Sequence, residues 1–283
     1  ADNLVHLDFL AVMNTRLMKG QKVLQGYLSA KNPVDTWVSG TFAIAFWTVN
    51  HLWHLGKYNL GLSSCLGGTG MCISADIVRE FGWGCDCLTE DMEFSMKCLS
   101  HGIRTCWVHD AIIYDEKPLT FMASWRQRKR WAQGQFDCSE RYIPILMKEG
   151  FKRHSIVVLD GIMQLLQNYF LLISAFYLVM TYINMFYPCF TVVLYNDALV
   201  PRQFWSVLGT IQYVLPLIVL LQIEVPAKIY LYWLIYPVFM YSWVPVTFLG
   251  WIHRHEKQWV HTIHTRSMQF QAASLTRKKE IDS

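Results

Sequence analysis

Charge is scarce in this chain. Asp, Glu, Lys and Arg make up 16% of its 283 residues, and the net charge is only +4. The basic residues are local, which excludes a general nucleic-acid binder with a basic face over a whole domain. The eight cysteines include no C-x-x-C pair, and no matching Cys/His set follows Cys85-Asp86-Cys87. A zinc site is therefore not expected, and scattered buried thiols in a reducing compartment are. There is no internal repeat and no low-complexity linker. There is also no signal peptide and no initiating Met. The chain opens at Ala1-Asp2-Asn3 with no helix start or strand before it, which reads as a fragment whose N-terminal part lies upstream.

The missing charge is replaced by apolar residues, at 53% of the chain, concentrated after Ile156. No charged side chain falls between Asp160 and Asp197. Tyr169 to Tyr187, Phe204 to Ile223 and Ile229 to Trp251 each approach the ~20 apolar residues that a bilayer requires. The later two carry Pro216, Pro237 and Pro245, which membrane helices tolerate. Phe151 to Gln167 reads as an amphipathic helix lying on a surface. The tail from His253 to Ser283 is polar and basic.

The first half reads as mixed α/β. Phe9, Leu10, Met13 and Leu17 have helical spacing, and Lys22 to Leu28 reads as a short buried strand. Asp35 could cap the aromatic-rich stretch Thr36 to Leu55, a buried or interfacial helix. Leu60 to Cys72 reads as strand, tight Gly loop, strand, and Ser74 opens a helix that stops near Gly82. Thr89 is a plausible N-cap with acidic residues behind it, and on its own Thr89-Glu90-Asp91 needs no further meaning. Two strands follow, Gly102 to Val108 and Ala111 to Tyr114.

Ser124-Trp125-Arg126-Gln127-Arg128-Lys129-Arg130-Trp131 holds four cations and two tryptophans in eight residues. As a helix opened by Thr120 or Ser124, it puts Gln127, Arg130 and Trp131 on one face. That face offers an amide, a guanidinium fork suited to phosphate, and an aromatic plate. A juxtamembrane belt for acidic lipid heads would look the same from these residues alone.

Asp2-Asn3, Gly68-Thr69-Gly70, Thr89-Glu90-Asp91 and Gln127-Arg128-Lys129-Arg130-Trp131 occur in that order. Together they resemble the membrane-embedded family 2 glycosyltransferases, the group of cellulose, chitin, hyaluronan and poly-N-acetylglucosamine synthases. Their pattern is D, D-x-D, T/S-E-D and Q-x-x-R-W, then membrane helices. The resemblance runs from the first residue to about Trp251. The first Asp of D-x-D would lie before Ala1, as would the nucleotide-binding half of the domain. The chain alone is thus expected to be inactive.

The resemblance implies the C-terminal half of an α/β GT-A-type domain over residues 1–140. It implies interfacial helices over 141–168, transmembrane helices over 169–251 and a basic tail over 252–283. Asp91 matches the family's general base, and Asp2 the ligand of a divalent cation, Mg²⁺ or Mn²⁺. Gln127 and Arg130 match the groups that hold the donor diphosphate. Trp131 matches the platform under the acceptor sugar, and Gly68, Thr69 and Gly70 the loop beside it. Glu90 falls on the acceptor side and is more structural than chemical. Trp259 to Arg266 loosely resembles a gating segment, or is simply a basic cytosolic tail.

The implied activity is inverting transfer from a nucleotide diphosphate sugar, a UDP-sugar, to a growing β-linked glycan. The setting would be a multi-pass protein of the plasma membrane, in contact with membrane lipid and with its catalytic domain cytosolic. Transfer of one sugar to a lipid acceptor is an alternative, and a non-catalytic membrane scaffold is another. Intact Asp91 and the full Q-x-x-R-W speak against the scaffold.

Overall fold

The computed structural model describes residues 3–187 and 202–256. Its centre is a mixed four-stranded sheet of order β1-β4-β2-β3. The strands are β1 (Leu4–Val5), β2 (Val23–Ala30), β3 (Met71–Ile73) and β4 (Thr105–Asp115). β2 and β4 run parallel, and β1 and β3 are antiparallel to their neighbours. β2 is buried on both faces, which suits a near-continuous apolar strand at the centre of an α/β sheet. The expected strand over Lys22 to Leu28 is thus present, slightly longer.

The two strands expected from Gly102 to Tyr114 are one strand with an irregularity. Val108 faces Gly26 and Ile112 faces Tyr27, so His109 to Ala111 bulge out of register. Gly26 permits this, because a β-carbon there would lie 2.5 Å from the Ala111 carbonyl oxygen. The strand expected before the Gly-rich loop is reduced to an isolated bridge between Ser64 and Thr105.

Helix α1 (Phe9–Met18) buries Phe9 and Met13 against Leu24, Leu28, Val108 and Ile113. α2 (Trp37–Thr48) is capped by Thr36 rather than Asp35. Thr36 Oγ1 accepts from the Ser39 N–H, and Ser39 Oγ accepts from the Thr36 N–H. A π-helical turn over Val49–His54 leads into α3 (Leu55–Asn59). α4 (Ala75–Phe81) stops at Gly82, whose φ is +62°. α5 is Glu90–Ser100.

α6 (Phe121–Arg153) is the longest element, at 33 residues or about 50 Å. Thr120 caps it, its Oγ1 accepting from the Ala123 N–H, so Thr120 and not Ser124 opens the helix. It runs without a break past residue 140, where a domain boundary was expected, and through Pro144. It ends at His154 in the left-handed conformation. The surface helix expected over Phe151 to Gln167 is therefore split between the end of α6 and α7 (Ile156–Leu165).

α8 (Gln167–Phe186), α9 (Arg202–Gln222), α10 (Lys228–Tyr241) and α11 (Trp243–Ile252) complete the described helices. Three spans were expected. Among the described residues one helix, Lys228–Ile252, is long and apolar enough to cross a membrane, and it coincides with the third. A second exists if α7 and Gln167–Met180, bent by 50°, form one span. α9 contributes a shorter apolar stretch, Val207–Gln222. The apolar side chains Phe170, Ile173, Phe176 and Val179 of α8 are exposed. Seven cysteines among the described residues are free thiols, as expected, and most are buried.

Candidate active site

The Gly-rich loop is tied to the sheet by one buried side chain. Gln25 of β2 donates through Nε2 to the Thr69 carbonyl at 3.0 Å, and its Oε1 accepts from the Gly67 N–H at 2.9 Å. Gly68 and Gly70 adopt φ of +73° and +62°, a region that glycine enters at little cost. Asn3 Nδ2 donates to Thr69 Oγ1 at 2.9 Å. The first and second motifs of the sequence are therefore neighbours in space. Gln25 itself was not predicted, and a lone Gln in a buried strand is the signal that could have found it.

Asp91 stands in the first turn of α5, facing this loop. A β-carbon at Gly68 would come within 3.2 Å of Asp91 Oδ2. Asp91 Oδ1 accepts from the Met92 N–H at 2.7 Å. The carboxyl is half-buried, and its pKa is raised to about 6, chiefly by desolvation. The neighbouring charge of Glu90 contributes to the rise, while the Met92 N–H and Arg130 oppose it. Glu90 is exposed.

Thr89 precedes α5 as expected, but it makes no side-chain cap. Its Oγ1 is buried without a hydrogen-bond partner and packs against Gly134 of α6. The reading of Thr89 as a side-chain N-cap is therefore corrected. The helix start is instead held by Glu93, whose buried Oε2 accepts from the N–H groups of Asp86 and Cys87, each at 2.7 Å. Arg141 of α6 pairs with Glu93 at 3.6 Å and with Asp137 at 2.9 Å.

α6 presents the basic-aromatic stretch, and its cations divide. Arg130 lies close enough to Glu90 and Asp91 to feel both charges. Burial lowers its pKa, and the two carboxylates oppose that. Gln127 Oε1 is buried without a hydrogen-bond partner. Trp131 is half-buried, edge-on to Phe42 and near-parallel to Trp243 at 6.5 Å.

Arg128 turns the other way. It is fully buried, donates through Nη1 to Ser242 Oγ at 2.8 Å, and lies 4.5 Å from the Phe239 ring centre and 5.1 Å from that of Trp243. Burial lowers its pKa to about 10. It joins α6 to α10 and α11. The structure thus brings Gly68, Thr69, Gly70, Glu90, Asp91 and Arg130 to one place and adds Gln25, Thr89 and Gly134.

Asp2, the expected metal ligand, lies outside the described residues, as do Trp259 to Arg266. Among the described residues no group of three or more His, Cys, Asp or Glu side chains is placed to hold a metal ion. Next to Asp2, Asn3 Oδ1 is buried without a hydrogen-bond partner.

Comparison with known proteins gives two matches. A family model described as "Glycosyl transferase family group 2" matches residues 1–249. Over 80 residues the chain is 30% identical to a protein of Bacillus subtilis (strain 168) described as "Probable glycosyltransferase YdaM". That match covers 28% of this chain and 19% of the relative's length.

Proposed function

Because the chain belongs to glycosyl transferase family group 2, we propose that it serves inverting transfer of a sugar from a nucleotide diphosphate sugar to a growing β-linked glycan at a membrane. The family makes it a glycosyltransferase. The observation that carries the finer reading is the half-buried Asp91 carboxyl, which faces the exposed Gly68 turn and feels the charge of Arg130.

Inverting transfer needs a base for the acceptor hydroxyl. A carboxylate with a pKa near 6 is ionised at neutral pH yet more basic than an ordinary Asp, which suits that role. Asp91 takes the proton as the hydroxyl oxygen attacks the anomeric carbon. The bond from that carbon to the diphosphate oxygen breaks on the opposite face, so the configuration inverts. Negative charge grows on the leaving diphosphate, and Arg130 meets it with a guanidinium fork. Gln127 offers its amide beside it. A divalent cation bound with Asp2 would neutralise part of the diphosphate charge.

Trp131 gives the acceptor sugar a flat apolar face. Gly68 leaves room for that sugar beside Asp91, since its φ and the 3.2 Å gap both disfavour a side chain. The membrane setting draws support from the apolar helix Lys228–Ile252 and from the exposed apolar face of α8. In this reading the protein is multi-pass in the plasma membrane, with the catalytic side cytosolic and the donor a UDP-sugar.

The test is to incubate membranes containing the full-length enzyme with a panel of radiolabelled nucleotide sugars and to size the product on a gel. A β-linked polymer from a single donor is expected. A single sugar on an extractable lipid would replace the polymer reading with glycolipid synthesis. No transfer from any donor would favour a scaffold.

A further inference from the structure

We propose that Gly134 is a positioning residue of the transfer reaction: its lack of a side chain lets α6 close onto Thr89, and that contact sets where Arg130 stands relative to Asp91. The inference rests on the proposed roles of Asp91 and Arg130.

The contact is tighter than any side chain allows. A β-carbon at Gly134 would lie 2.6 Å from Thr89 Oγ1, 2.7 Å from Thr89 Cγ2 and 2.7 Å from the Thr89 backbone nitrogen. The side-chain atoms could rotate away, but the backbone nitrogen cannot. Gly134 follows Arg130 by four residues, so the two share a face one turn apart. Thr89 precedes Asp91 by two. The Gly134–Thr89 contact is thus the turn next to the Arg130–Asp91 approach.

α6 cannot back away to relieve a clash. On another side, α11 meets it through Gly250, where a β-carbon would lie 2.5 Å from Ala132 Cβ. Arg128 is bonded to Ser242, and Gln133 Nε2 donates to the His253 carbonyl at 2.8 Å. A methyl group at Gly134 would therefore displace the start of α5, and Asp91 with it. The buried Thr89 hydroxyl without a hydrogen-bond partner has the same explanation, since it is packed as a shape and not used as a cap.

The experiment compares Gly134→Ala with Gly56→Ala, a helical glycine with nothing within 4 Å of the added carbon. Gly134→Ala should keep donor affinity close to wild type and slow transfer by up to about 10²-fold, the scale of an ångström-sized misplacement. The acid limb of its rate profile should move to higher pH, because Arg130 no longer holds the Asp91 pKa down. Thr89→Ala in the Gly134→Ala background removes both clashing side-chain atoms but not the contact with the backbone nitrogen, so it should restore only part of the rate. Should Gly134→Ala fail to accumulate, the double variant carries the same comparison. Gly56→Ala should match wild type.

Amide exchange gives a readout that needs no sugar transfer. Exchange over Thr89 to Met92 should quicken in Gly134→Ala and not in Gly56→Ala. Unchanged exchange there overturns the proposal, whatever donor the wild type uses. So does a wild-type rate and acid limb in Gly134→Ala. Absence of transfer in the wild type would instead count against the proposed function.

Discussion

Gly68 and Asp91 face one another so closely that a β-carbon on Gly68 would come within 3.2 Å of Asp91 Oδ2. The loop holding Gly68 hangs from Gln25, and the helix holding Asp91 is fixed by Glu93. The two sides are therefore placed independently and meet at the carboxyl. Gly68→Ala adds a side chain at φ +73° and crowds Asp91. Its transfer rate should fall by about tenfold or more, with donor affinity kept, since the acceptor side is what it blocks. Equal losses in donor affinity and rate would move Gly68 to the donor side.

Asp91 should destabilise the fold at neutral pH. Its folded pKa, about 6, lies above the 3.8 of an ordinary aspartate. Below pH 4 the group is protonated in both the folded and unfolded states and costs nothing. As pH rises through 6 the folded protein must hold a half-buried anion, and stability is lost. Asp91→Asn should therefore melt higher than wild type at pH 7.5, by no more than about 3 kcal/mol at about 1.4 kcal/mol per pH unit. The difference should vanish near pH 4. Melting curves of the two proteins at both values check this.

Arg128 and Arg130 should respond differently to the same change. Arg128→Lys loses the bond to Ser242 and the stacking near Phe239 and Trp243, so it should lower stability by about 1–3 kcal/mol. The folded fraction should bind donor normally. Arg130→Lys should fold normally, bind the donor more weakly and transfer more slowly, because an ammonium cannot replace the fork on a diphosphate. Thermal melts and nucleotide titration separate the two.

The split between these arginines shows what the sequence did and did not reveal. The central buried strand and the shared helical face of Gln127, Arg130 and Trp131 were readable from spacing, whereas the four motifs stood out only through the resemblance to a family. The direction of Arg128 was not, because cations surround it at 126, 129 and 130. The signal lay in its helical neighbours. Ser124, Arg128, Ala132, Phe136 and Ser139 form one buried stripe of mostly small residues. Thr89 was read as a cap because composition favours it, and only packing against Gly134 shows otherwise. The bulge at His109 to Ala111 broke one strand into two for a pattern that assumes strict alternation.

Removal of metal should abolish transfer if Asp2 holds a divalent cation. Chelator should stop the reaction, and Mg²⁺ or Mn²⁺ should restore it. Asp2→Asn should raise the cation concentration needed for half-maximal donor binding, a readout separate from turnover. Donor binding indifferent to both chelator and Asp2→Asn would remove the cation from the account.

The central claim is that Asp91 takes the proton from the acceptor. The most direct measurement is the single-turnover transfer rate of wild type and Asp91→Asn from pH 5 to 8, with donor affinity measured alongside. Wild type should lose rate on the acid side with a midpoint near pH 6, as burial of the carboxyl requires. Asp91→Asn should bind donor as well as wild type, transfer at least about 10²-fold more slowly and lose that acid limb. An Asp91→Asn enzyme that transfers at nearly the wild-type rate, with the limb still near pH 6, would contradict the claim.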